Sequence, residues 1–504
     1  MTTASGDAAQ RAALRVTGGL VAQIAARLLT IPVAIAVSAV LARSLGAPDF
    51  GAIYLANTAL SVVFLFVDFG TGSQMAAMVA RDPASTPGVL GAGLALRAVL
   101  GAVALLLIDP LTRVFGYSET VRMVFMLTAV RCLLNSMSSC MASIVRGLEL
   151  IPAHARLTVI TTVAEAAILV PTMLLGGGLH AAMLALVASA VLGMVVWGAL
   201  LLRIGAAKIG FAAAQLRELL HGGTGFLVFD LALRLQPYID ANFLEKLSTP
   251  TEVGWYAAAQ RMTGSLLLPV STLNFAIYPA MARLWRTDRP AFVRLTRSAL
   301  RAAMLFGIMA AVGAACFAEP VISAVYGRTG FSGAARDLQI LSVYVGLVFV
   351  TMLLGCAIMA AERQLAWAAV QALCIPLSLV LDPILIRWFA AHAGSGGLGV
   401  CVSVAVAETL MIAGALIVMP RRILGRSLLL DGARGVAAGA AMAACALLLK
   451  PWPVLGMPAS VAVYLAIQFA LGGFDAAFIA QIRTMVASRL RRGATGIPPA
   501  PGTA

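Results

Sequence analysis

The sequence predicts an all-α polytopic membrane protein of about fourteen transmembrane helices, and three observations predict it. Of 504 residues, 61% are hydrophobic and only 11% charged, with a mean hydropathy of +0.96. A soluble chain carries about a quarter charged residues. Apolar runs of roughly 20 residues, long enough to cross the hydrocarbon core, recur along the whole chain. Loop charge then alternates between the two sides of those runs.

Taken in order, the candidate spans are 17–42, 51–72, 89–108, 121–144, 157–176 and 181–202 in the first half. The second half offers 223–244, 253–282, 298–318, 338–361, 367–388 and 398–420, and 435–449 and 454–472 follow. The first run is longer than a signal peptide and contains Arg27, so it reads as a retained span. Of 36 basic residues, six fall within spans. With the N-terminus inside, 22 of the remainder lie on the inner side and eight on the outer side. This positive-inside bias predicts an even number of spans and two cytoplasmic termini. The divisions are 1–16 (cytoplasmic segment), 17–204 (spans one to six), 205–222 (amphipathic cytoplasmic linker), 223–420 (spans seven to twelve), 435–472 (the last two spans) and 473–504 (cytoplasmic tail). Stretches 211–220 and 474–490 carry an amphipathic, Arg-bearing pattern suited to an anionic headgroup surface.

An internal repeat supports two six-helix halves. Leu45, Pro48, Gly51 and Tyr54 between spans one and two return, with one residue of slippage, as Leu247, Pro250, Gly254 and Tyr256 between spans seven and eight. Both loops lie on the same side by charge, so the halves are parallel repeats, with two helices added.

The net charge of +15 fits cytoplasmic loops of a membrane protein better than nucleic-acid binding, and no nucleic-acid partner is expected. Basic residues are nearly all Arg, the lysines being Lys208, Lys246 and Lys450. Seven scattered cysteines and four scattered histidines show no ligand spacing, and no metal site is expected. No phosphate-loop motif occurs, since no Gly-Lys pair exists, and no hydrolase motif is found. Outer loops are short, with the longest around 320–337, which leaves no room for a catalytic domain. The chain is therefore expected to move something rather than to be an enzyme. It needs no cofactor, and a proton or sodium gradient or the membrane potential would drive it.

The intramembrane charges carry the functional signal. Arg27, Arg97, Arg131, Arg234, Arg261 and Arg301 sit in apolar segments, where an arginine near the bilayer centre costs about 2.5–3.5 kcal/mol on the gentler scales. Gln23 lies one turn from Arg27, and Gln260 lies beside Arg261. Arg301 is close enough to the inner interface to snorkel. The others predict a polar interior suited to an anion. Asp68, Glu165, Asp230, Asp240 and Asp382 are candidates for coupling to an ion. Asp230 with Arg234 could instead neutralise itself, and Arg97 or Arg131 could pair with Glu165 between helices. Prolines 32, 171, 237, 269 and 376 are expected to kink spans.

The run from Arg43 to Gly51, leading to Asp68-Phe69-Gly70-Thr71-Gly72, resembles the opening hairpin of bacterial polysaccharide flippases. These are the O-antigen and exopolysaccharide branch of the multidrug/oligosaccharidyl-lipid/polysaccharide (MOP) exporter superfamily. Val145 to Glu149, Val253 to Arg261, Ile277-Tyr278-Pro279 and Tyr326-Gly327-Arg328 carry the likeness further. The resemblance implies a V-shaped pair of six-helix bundles, two extra helices and alternating access. It implies a non-enzymatic inner-membrane flippase for undecaprenyl-pyrophosphate-linked oligosaccharide, with the bilayer as partner and a polymerase and chain-length machinery as candidate partners. Arg27 and Arg261 match in kind the cavity arginines of related flippases. The alternatives are a lipid II flippase of the same fold, a cation-coupled multidrug exporter, and a membrane glycan polymerase. An exporter would favour twelve spans and acidic cavities, and a polymerase would need a large outer loop.

Overall fold

A computed structural model describes residues 2–210, 213–419 and 426–473, and these are helical with no strand among them. The first half contains α1 (Thr2–Leu45), α2 (Ala47–Asp68), α3 (Thr71–Arg81), α4 (Thr86–Val114), α5 (Glu119–Gly147), α6 (Ile151–Leu174) and α7 (Leu179–Arg203). It is followed by α8 (Ala213–Leu247), α9 (Pro250–Leu266), α10 (Leu268–Thr287), α11 (Arg289–Tyr326) and α12 (Ser332–Ala360). The remaining elements are α13 (Gln364–Ala393), α14 (Gly396–Val418), α15 (Arg426–Leu448) and α16 (Pro453–Ala470).

Twelve segments of the described residues are long and apolar enough to cross a membrane, and α9 with α10 makes a thirteenth. The fourteenth expected span corresponds to α8. That helix carries Asp230, Arg234, Gln236 and Asp240, and its polarity keeps it below the composition of an ordinary span. The chain is a multi-pass membrane protein.

Several local expectations change. Span two does not stop at Gly72: Phe69 and Gly70 adopt left-handed backbone (φ 49 and 62) and the chain resumes as α3. Span eight is split at Leu267, because Pro269 has no N–H to continue the ladder. Residues 2–16 continue α1 rather than preceding it. Within the expected 205–222 linker, residues 211–212 fall outside the described set and α8 already begins at Ala213. Leu219 is wholly buried against Met75, Val89, Ile144 and Trp197, so this stretch packs on α3, α4, α5 and α7. The 474–490 stretch lies outside the described residues, as does the 473–504 tail beyond Gly473.

The described residues form two compact units. One draws on Met1–Leu268, Ala318–Leu341 and Arg363–Ala415, the other on Pro269–Phe317, Ser342–Glu362 and Leu416–Ala504. In the second, the added helices are anchored by Tyr464, which is buried against Ala438 and Met442 and donates to the Leu305 carbonyl at 2.7 Å. Arg301, expected near the inner interface, meets partners at the start of α15 and just after α16. It lies 3.3 Å from Asp431 of α15 and donates to the Gly472 carbonyl at 2.6 Å.

In the first unit the two repeated motifs meet. A methyl group on Gly51 would lie 2.7 Å from the Gly254 nitrogen, and one on Gly254 would lie 2.0 Å from the Ala47 carbonyl oxygen. Glycine is required at this crossing because α2 and α9 touch backbone to backbone. Beside it, Arg43 donates to the Val325 and Ala324 carbonyls and caps the end of α11. Phe50, Tyr326 and Phe331 stack into the same joint.

Gly254→Ala is therefore expected to destabilise the protein by about 1–3 kcal/mol, the range for overpacking. A thermal melt in detergent should show the loss. Gly264→Ala is the control, with open space around the added methyl, and should leave the melt unchanged.

Candidate functional site

The first unit holds a partly open cavity of about 710 Å³ lined by α1, α2, α5, α6, α7, α9 and the first residue of α10. Its polar lining comes from Tyr54, Asn57, Thr58 and Ser61 on α2, Arg131 on α5, Glu165 on α6, and Gln260, Arg261 and Ser265 on α9. Helical spacing explains the convergence. On α2 residues 54, 57, 58 and 61 fall at i, i+3, i+4 and i+7, which is one face. On α1 the lining runs through Ile31, Ala34, Ile35 and Ser38 in the same rhythm.

The charged groups there are two arginines and one glutamate. Arg131 Nη2 lies 3.4 Å from Glu165 Oε1, a long contact that leaves most of the guanidinium's five donors uncommitted. Arg261 is exposed to the cavity, and its one hydrogen bond among the described residues is a long one to the Ala34 carbonyl, at 3.5 Å. Gln260 is held by the Tyr256 hydroxyl at 2.7 Å. The lining is thus net positive, with donors free to meet an anion in a low-dielectric wall.

Arg97 does not join them. It is 1% exposed; its Nε donates to Asp68 at 3.1 Å and its Nη1 to the Gly93 carbonyl at 3.2 Å. Ser136 donates to the same Asp68 oxygen. Arg97 and Asp68 therefore fasten α2 and α5 to α4, which takes both out of the cavity lining. Arg27 is exposed on α1 and lies one turn before Ile31 on the face that continues the lined stripe, with Gln23 a further turn back. Neither belongs to the lining. Arg234 is exposed on α8 and Asp230 half-buried, and among the described residues they form no ion pair with each other. Their (i, i+4) spacing does not bring them together here.

Asp240 and Asp382 are brought together, on α8 and α13. They are 2% and 0% exposed. One Asp240 oxygen, both Asp382 oxygens and the hydroxyls of Ser378 and Ser403 lack a well-aligned hydrogen bond, although Asp240 and Ser403 both lie within hydrogen-bonding reach of Asp382. Ser378 lies one turn from Asp382 on α13, and Ser403 faces it from α14. Buried oxygens without donors are held only at a cost unless a cation or protons satisfy them. These atoms form a buried oxygen cage between α8, α13 and α14. No group of three or more His, Cys, Asp or Glu side chains with metal-binding geometry occurs among the described residues.

Other polar residues of the cavity and the buried interior were not anticipated. Tyr54, Asn57 and Thr58 carry no charge, so only the one-face spacing could have signalled them. Glu408 is a buried acid within span twelve, and its position in an apolar run was a visible signal. Glu252 and Asp337 were assigned to outer loops but are buried at helix starts.

The geometry now meets its comparisons. Residues 17–285 match the family described as polysaccharide biosynthesis protein. The chain belongs to that family. Among curated proteins no sequence matches it. Solved structures give the fold of this family member. It resembles the lipid II flippase MurJ in an inward closed conformation, with a TM-score of 0.69, 14% identity, and 90% of this chain and 98% of the other covered. An inward-facing multidrug resistance MATE family transporter of the MOP superfamily gives a TM-score of 0.64 at 17% identity, over 80% and 95% of the two chains. A MOP superfamily transporter from Pyrococcus furiosus, whose description reports reverse polarity of the binding pocket, gives 0.55 at 16%, over 81% and 95%. The fold is that of the MOP transporters.

The sorting of arginines is testable. Removing one partner of a buried pair costs about 3–5 kcal/mol, and less where the other partner reaches water, as Asp68 does in part. Arg97→Ala is expected to lower melting temperature and membrane abundance clearly. Arg131→Ala should melt within a degree or two of wild type.

Proposed function

We propose that the chain is a flippase. Its substrate would be an undecaprenyl-pyrophosphate-linked oligosaccharide repeat unit, moved from the inner to the outer leaflet of a bacterial inner membrane during polysaccharide synthesis. The observation that carries this reading is the cavity in which Arg131 and Arg261 present uncommitted guanidinium donors. Planar, permanently charged forks suit phosphate oxygens, and α2 hydroxyl and amide groups suit sugar. Membership of the polysaccharide biosynthesis family supports the same substrate class.

In this mechanism Arg131 and Arg261 bind the pyrophosphate while Tyr54, Asn57 and Thr58 face the glycan. A polyprenyl tail exceeds the cavity and would remain in lipid. Arg27 and Gln23, on the continuing α1 face, would meet the headgroup on its way in. The crossing of Gly51 with Gly254 closes the end that loop charge assigns to the outside. Its opening would release cargo there, with both termini cytoplasmic. No bond is made or broken, and the chain is not an enzyme in this reading.

Energy would come from a cation at Asp240, Asp382, Ser378 and Ser403. One elementary charge moving through 100 mV is worth about 2.3 kcal/mol. A lipid II flippase is the second reading, favoured by the fold likeness to MurJ over 90% of the chain. A polymerase and chain-length machinery would act downstream on the delivered unit.

Deletion in the native host, with lipid-linked glycans assayed by leaflet, tests the reading. Accumulation of the undecaprenyl-linked repeat on the inner side is expected. Normal flipping with loss of polymer length would overturn it in favour of a polymerase, and accumulation of lipid II alone would favour the second reading. Arg131→Ala and Arg261→Ala should each reduce export at least tenfold with protein levels intact. For the coupling site, sodium chloride is expected to raise the melting temperature of wild type but not of Asp382→Asn.

A further inference from the structure

Asp337, the sixth residue of α12, is 0% exposed, and neither of its carboxylate oxygens meets a hydrogen-bond donor. Both oxygens point at the first turn of α14: a methyl group on Gly397 would lie 3.2 and 3.3 Å from them. Glu252 converges on the same residue from the first turn of α9. Its Oε2 accepts the Gly397 N–H at 3.0 Å, the Ser248 hydroxyl at 2.6 Å and the Ser395 hydroxyl at 3.4 Å. Its own N–H completes a cap to Thr249 Oγ1 at 3.4 Å. Glu252 thus takes the donors at this end of α14, where the positive end of the helix favours an anion. Asp337 is left beside a like charge with no donor.

Among the described residues, the groups facing this spot supply no counter-charge. They are Glu252 on α9 and Cys401 on α14, with Asp240 on α8 and Asp382 on α13 beyond Cys401. Arg336, next in sequence, and Arg387 on α13 are exposed on other faces. A metal cation would need several oxygen lone pairs, but the nearby hydroxyls and the Gly397 N–H turn their hydrogens toward Glu252. A proton needs one bond, and a protonated Asp337 can donate to a carboxylate neighbour.

We propose that Asp337 is a proton-binding site, paired with the anionic Glu252 at the N-terminus of α14 and separate from the Asp240/Asp382 cage. Access is short, because Thr249 and Pro250, at the head of α9, are exposed. The consequence is mechanical. Gly254, two residues after Glu252, forms the backbone crossing with Ala47. Loss of the proton would set two carboxylates against each other in a dry site beside that crossing, so the proton holds it shut. This inference concerns proton binding and stands whichever lipid is carried.

Infrared spectroscopy of the full-length protein in nanodiscs tests it. Wild type at neutral pH should show a protonated-carboxyl stretch that disappears as pH is raised. Asp337→Asn should lack that band and Asp240→Asn should keep it. If Asp337→Asn does not fold, Asp337→Glu keeps the acid and should move the band without deleting it. An unchanged band in either Asp337 variant overturns the proposal, as does a wild-type spectrum without the band.

Discussion

A guanidinium at the depth of hydrocarbon must either be fastened to a carboxylate or face a polar space, since lipid offers no third partner. That constraint organises the first unit of this protein. Arg97 satisfies it by fastening: it donates to Asp68 and to the Gly93 carbonyl, Ser136 donates to the same Asp68 oxygen, and α2, α4 and α5 become one block. Arg131 and Arg261 satisfy it by opening onto a cavity, where their charge is incompletely neutralised. One residue type thus does two jobs, and the difference is set by what the neighbouring helix brings to the same depth.

The same logic applies to the acids. Asp68 and Glu165 have arginine partners. Asp240, Asp382 and Asp337 have none among the described residues, and each retains oxygens without a well-aligned donor. Burying carboxylates in that condition is costly, which is why the proposed cation and proton sites are placed at these positions. The cationic lining and the acidic clusters draw on different residues within one unit, so the proposed substrate and coupling ion would not compete for a group.

Much of this was legible in the sequence. Length and apolarity located the spans, because a bilayer imposes its thickness on every helix. The repeated Leu, Pro, Gly and Tyr pattern marked the positions whose glycines touch. The pairing of Arg131 with Glu165 was among the options that charge alone allowed. What was not legible depends on helix crossings. Asp68 and Arg97 are 29 residues apart, and no spacing rule joins them. Asp230 and Arg234 obey the one-turn rule and yet do not pair. The start of α8 reads as a polar linker by composition, although Leu219 is drawn into a core built by four other helices. Asp337 looked like loop charge because a run of Gly, Arg and Ser precedes it, and only the fold buries it.

The central claim is that the Arg131/Arg261 cavity binds a pyrophosphate headgroup. Each charge-assisted hydrogen bond is worth about 1.5–3 kcal/mol, and 1.4 kcal/mol is tenfold in affinity. Binding of undecaprenyl pyrophosphate to the purified full-length protein in nanodiscs, followed by native mass spectrometry, measures it directly. The account predicts at least a tenfold loss of affinity for each of Arg131→Ala and Arg261→Ala, and no change for Arg234→Ala. Undiminished binding in the double variant Arg131→Ala/Arg261→Ala would contradict it.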